Sequence, residues 1–141
     1  MIAVTIGTTQ WRSAETLSDN EVAFTGEFLY EPDGLTPAMV WDTALNNVRP
    51  RTQAEALARG KALTIAANRA ECSRRIYERY PAGRQLSALA GLYDSANVAT
   101  MTDWIAACIA AENTAADLIE AVQPGPNAVA SVEAVTVAWP V

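Results

Sequence analysis

Two segments of one design, Thr52 to Tyr80 and Met101 to Val122, constrain this chain more than any other part of it. In the second, Met101, Ile105, Cys108, Glu112, Ala115, Ile119 and Val122 alternate by four and three residues, a helical stripe that only Glu112 interrupts. Trp104, Ala111 and Leu118 recur at sevenfold spacing beside it. The apolar surface is therefore wider than a coiled-coil seam and suits a helix wedged between two neighbours. In the first segment, Leu57, Ile65, Cys72, Ile76 and Tyr80 recur at helical spacing. Thr52 and Glu55 give it the signature of a reciprocal capping box, and Pro81 with Gly83 stops it. A short link forces the two helices antiparallel, which buries Ile65, Cys72, Ile105, Cys108 and Ile119. Residues 82–93 add a short helix within the link, with Leu86 and Leu89 expected to face inwards.

Both ends of the chain read as β-structure. Ile2, Val4 and Ile6 alternate with smaller or more polar residues, and Val22, Phe24, Gly26, Phe28 and Tyr30 alternate with Glu21, Ala23, Thr25, Glu27 and Leu29. Val135, Val137 and Trp139 form a third alternating segment, a candidate to pair with the first two. Thr36 followed by Pro37 resembles a helix start, so a short helix is expected from Pro37 to about Leu45. The expected class is α+β: a small antiparallel β module plus a long antiparallel helical hairpin. Its segments are 1–35 (β-rich), 36–50 (short helix and connector), 51–123 (hairpin) and 124–141 (connector and strand), within one compact unit of 141 residues.

Chemistry is sparse. Histidine is absent, which removes the usual general base and the commonest metal ligand. Ser-His-Asp and Cys-His mechanisms are thereby excluded. Gly60-Lys61 resembles the end of a phosphate loop, but Glu55 and Ala62 occupy positions that such a loop reserves for glycine and a hydroxyl. Glu27, Glu31, Asp33 and Asp42 are close in sequence, yet nothing fixes the spacing a carboxylate pair needs. No catalytic, cofactor-binding or metal-ligating residue is expected. Cys72 and Cys108 fall inside helices and read as core thiols of an intracellular chain. The net charge of −6 argues against nucleic acid and anionic membranes as partners, and no apolar run is long enough to span a bilayer.

Half the residues are hydrophobic, but alanine supplies much of that and buries little area, so the core is thin and invites a partner. The candidate partner-binding residues are Leu118 and Trp104 on the second helix, Phe24 and Phe28 on the strands, and Trp139, which either seals its own sheet or anchors a partner.

The run Arg69-Ala-Glu-Cys72-Ser-Arg-Arg-Ile76-Tyr-Glu-Arg-Tyr80-Pro81-Ala-Gly-Arg-Gln85 is followed by a helix near Met101-Thr-Asp-Trp104-Ile105 and a late Val137-Ala-Trp139-Pro140. From about Thr52 onwards the chain resembles small bacteriophage tail accessory proteins, among them the tail-fibre assembly proteins. That resemblance implies a non-enzymatic protein that binds a tail fibre or baseplate component and assists its assembly or attachment, acting in the host cytoplasm during assembly and leaving open whether it stays on the virion tail. It leaves open a permanent structural subunit of tail, baseplate or fibre with no chaperone role, and a homo-oligomer.

Overall fold

The computed structural model describes residues 1–141, and their contacts group into two compact units, Met1–Thr52 and Gln53–Val141. The class is α+β, with five short antiparallel strands in the first unit and four helices in the second.

In the first unit, β1 (Ile2–Thr5) lies between β2 (Trp11–Ser13) and β3 (Glu21–Phe24), antiparallel to both. Ile2 stands opposite Ser13 on one side and Phe24 on the other. Ala3 and Val4 are both fully buried, so β1 is covered on both faces. The long second strand expected from Glu21 to Tyr30 stops at Phe24. The Phe24 ring folds back over Gly26, where an added Cβ would meet it at 2.7 Å. Tyr30 keeps only an isolated bridge to Pro37.

The helix expected over Pro37–Leu45 is instead a hairpin of β4 (Met39–Asp42) and β5 (Asn47–Pro50). Two local features decide this. Met39-Val-Trp41 is a short β-branched and aromatic run. The Asp42 carboxylate then accepts from the N–H groups of Ala44 and Leu45 at 2.9 and 3.1 Å, and Asn46 adopts φ 47° to close the turn. The Asn47 amide donates to the Ala23 carbonyl at 2.8 Å and joins the hairpin to β3. Val4, Phe28, Met39 and Val48 form the core of this unit.

In the second unit, α1 (Gln53–Arg79) starts directly after Thr52, and α3 (Ser95–Glu120) runs back along it. Three contacts in opposite chain order establish the antiparallel pairing. Lys61 Nζ donates to the Glu120 carbonyl at 2.6 Å, Arg69 Nε lies 3.5 Å from Glu112, and the Arg79 guanidinium sits 4.6 Å over the Trp104 ring. Ile65, Cys72, Cys108 and Ile119 are buried, whereas Ile105 is half-buried at the edge of the Tyr80 cluster. α3 begins six residues before Met101 because Asp94 caps it, accepting from the Asn97 N–H at 2.8 Å.

Two expectations fail in this unit. The link does hold a helix, α2 (Ala82–Leu89), but Leu86 and Leu89 face solvent and Ala88 faces the core. Ala88 packs there with Tyr80 and Met101, and Val98, Trp104 and Ile105 pack against that cluster. The expected C-terminal strand is absent. Residues 128–133 form α4 (Ala128–Glu133), and Val135 packs on the cluster of Leu57, Ile65, Ile119, Ala128 and Val132. A segment whose valine and tryptophan are taken up by helices has no apolar face left to register against a sheet.

Candidate partner-binding surface

Leu118 stands one position before the fully buried Ile119, about 100° round α3 from the buried stripe, and is 57 % exposed. The chain around it is built for a firm helix end. Lys61 reaches from α1 to the Glu120 carbonyl and lies 3.7 Å from its carboxylate, setting a cation at the negative end of the α3 dipole. Beside this end runs a shallow groove of about 410 Å³, lined by Ala54, Ala58 and Ala62 on one wall and Val122 and Pro124 on the other. Of the large apolar side chains of α3, only Leu118 and Ile109 are exposed, and Ile109 lies nine residues away and therefore on the opposite side of the helix.

The other four sequence candidates are engaged within the fold. Trp104 packs edge-on against Tyr80, ring centroids 5.8 Å apart, and is covered by Arg79. Its indole N–H is buried without an acceptor. Trp139 lies half-buried under the Arg75 guanidinium at 5.1 Å, and Arg75 is itself held by Glu71 at 2.7 Å. Phe28 is core, and Phe24 meets it edge-on at 6.2 Å. Phe24 and Phe28 thus share one cluster with Trp11 and Tyr30 in the first unit, while Trp104 and Trp139 lie in the second. Of the five, Leu118 alone presents an open apolar side chain.

Between α1 and α3 lies a small polar layer. Glu112 is buried at 6 % exposure; its Oε1 is 3.5 Å from Arg69 yet makes no hydrogen bond there, so the ion pair is loose. The Asn68 amide nitrogen is also buried without a partner. Burial raises the Cys72 thiol above its ordinary value, with the neighbouring Cys108 and Glu112 adding to it. Burial likewise raises Cys108, against the pull of Arg75 and Arg79. Both thiols are thereby kept protonated, the opposite of what a nucleophilic cysteine requires. No three Cys, Asp or Glu side chains converge as metal ligands would.

Sequence reasoning overlooked the surface of α2. Leu86, Leu89 and Leu92 are 65, 84 and 73 % exposed, and Tyr93 lies next to them. The signal was in the sequence: Gly91 marks a helix end, and the residue after such a glycine folds back beside the last turn. Another overlooked exposed aromatic is Trp11, whose indole N–H donates to the Tyr30 hydroxyl at 2.6 Å.

Comparison of the chain with protein-family models, with curated proteins and with solved structures finds no match in any of the three.

Proposed function

We propose that this chain is a non-enzymatic bacteriophage tail protein that binds a tail fibre or baseplate component and assists its assembly or attachment. What supports the reading is the resemblance of the run Arg69 to Gln85, which spans the end of α1 and the start of α2, together with the late Trp139-Pro140. The observation that carries the binding half of the reading is Leu118, a leucine left 57 % exposed at the end of a long helix. Burying such a side chain against a partner contributes on the order of 1–2 kcal/mol. Apolar burial, not charge, is the proposed source of affinity, so added salt weakens the association little.

Co-expression with the fibre and baseplate proteins of the parent phage tests this. The expected result is co-purification that Leu118→Glu abolishes while the circular-dichroism spectrum stays helical. Failure to co-purify with any tail protein, or association that collapses with salt, overturns it. A protein inventory of purified particles then separates an assembly factor, found in lysate only, from a permanent subunit, found in stoichiometric amount.

A further inference from the structure

The polar and packed contacts between α1 and α3 fix how the two helices face one another. Lys61 reaches Glu120 and Arg69 lies 3.5 Å from Glu112, so eight residues forward on α1 match eight residues back on α3. Tyr80 and Met101 then share a core cluster, each eleven residues further along its helix. Between these last two rungs the same register sets Cys72 within one residue, about 1.5 Å of rise, of a position directly across from Cys108. Cys72 is one turn on from Arg69 and Cys108 one turn back from Glu112, so each thiol shares its helix face with one member of that pair. Both cysteines are buried, at 7 and 0 % exposure, and both are free.

Register and burial make each sulfur the natural partner of the other. The Cys72 thiol is raised first by burial and then by Cys108 and Glu112, neighbours near enough to act on it through space. The Cα atoms of α1 and α3 approach within 8 Å, and a disulfide spans about 4.4–6.8 Å, so closing one draws this rung together by about 1 Å or more. The layer beside it is loosely held. The Arg69–Glu112 contact makes no hydrogen bond, and the Asn68 amide nitrogen and Glu112 Oε1 are buried there without partners. No directional bond at this level is lost when the helices shift.

We propose that Cys72 and Cys108 are the two halves of a disulfide that closes inside the folded helical unit and ties α1 to α3, with a low-molecular-weight disulfide as the oxidant. A local opening lets one protein thiolate attack the small disulfide, whose S–S bond breaks; one small thiol leaves and a mixed disulfide forms. The second cysteine attacks the protein sulfur of that mixed disulfide and releases the other small thiol. The protein pair thus gives up two electrons and two protons, and the oxidant takes both. Burial slows the first step and protects the product, because a reductant must enter by the same opening. The bond is read on the chain alone and stands apart from the tail-protein contact at Leu118.

Incubating the full chain with oxidised glutathione at about pH 8 tests the proposal, with intact mass, peptide mapping and circular dichroism as readouts. The expected product is a single chain about 2 Da lighter than the 15.1 kDa starting material, with the peptides of Cys72 and Cys108 joined. Its helical spectrum should be kept and its Tm raised by at least about 5 °C, since the bond closes the loop that holds α2. Dithiothreitol should reverse both the mass change and the Tm shift. Cys108→Ala, a small change in an alanine-rich helix, should stop at a single glutathione adduct. Two glutathione adducts on the wild-type chain, a bond between chains, or thiols that stay free on prolonged native exposure would overturn the proposal. So would a bond that closes only in denaturant, or one whose closure does not raise Tm.

Discussion

Replacing Gly60 by alanine should stabilise the helical unit. Gly60 lies inside α1, where a glycine costs about 1 kcal/mol relative to alanine because the unfolded chain loses more backbone freedom. The usual reason to keep a glycine there is a close neighbour, and the neighbour here is Val129 of α4. A Cβ at position 60 would meet Val129 Cγ1 at 3.7 Å and Cγ2 at 4.0 Å, ordinary van der Waals contact. Those contacts add a few tenths of a kcal/mol at most, so the gain is about 1 kcal/mol in all. For a cooperative unit of the size of Gln53–Val141 that corresponds to roughly 4–8 °C in Tm. Thermal unfolding followed by circular dichroism at the helix minimum reads it directly, and a urea series should move the midpoint without changing the slope. Gly91→Ala provides the opposite sign. There too nothing crowds the site, but φ is +73°, and the left-handed conformation should cost about 1 kcal/mol. A Tm that falls with Gly60→Ala would refute the α1–α4 packing on which the sign depends.

Three further outcomes follow from the polar groups. Glu112→Leu should raise stability by about 1 kcal/mol in urea unfolding, because the charge is buried against a loose partner while Arg69 is 70 % exposed and loses little when left alone. Arg12 lowers the Glu21 carboxyl from 4.5 to about 2, so its contribution is complete above pH 4.5 and is lost as pH falls towards 2; Glu21→Gln should flatten the acid limb of the stability profile in that window. Cys72 and Cys108 should react with a thiol reagent at pH 8 only as fast as the helical unit opens, and at once in denaturant; fast native labelling would contradict their burial.

Much of the helical unit was legible in the sequence because α1 and α3 are long enough for their periodicity to outweigh local accidents. Leu57, Ile65, Cys72, Cys108, Ala115 and Ile119 all lie on the buried side as the spacing requires. Short elements were not legible in the same way. Pro37 suits a helix start and a strand edge equally, and only the turn at Asp42 and Asn46, visible once folded, tips residues 39–50 to a hairpin. In α2 the larger side chains were expected inside; Ala88 packs with Tyr80 and Met101 instead. Val135 to Trp139 alternates like a strand, but α4 just before it carries the chain back onto α1. Among the site residues, spacing predicted the side of α3 on which Leu118 lies, whereas exposure depends on neighbours that no local pattern names.

The grouping of contacts at Thr52 has a consequence for biogenesis. Every strand partner of the first unit has been made once Pro50 is joined to the chain, whereas Leu57 and Ile65 wait for Val132 to complete their cluster. α1 is complete at Arg79, so at ribosomal speeds of about 5–20 residues per second it waits roughly 3–11 s for Val132, far longer than a small sheet needs to form. The β unit can thus be finished while α1 is still a nascent helix with its apolar stripe uncovered. During those seconds the stripe is the part of the molecule most open to capture by a chaperone or by another nascent chain.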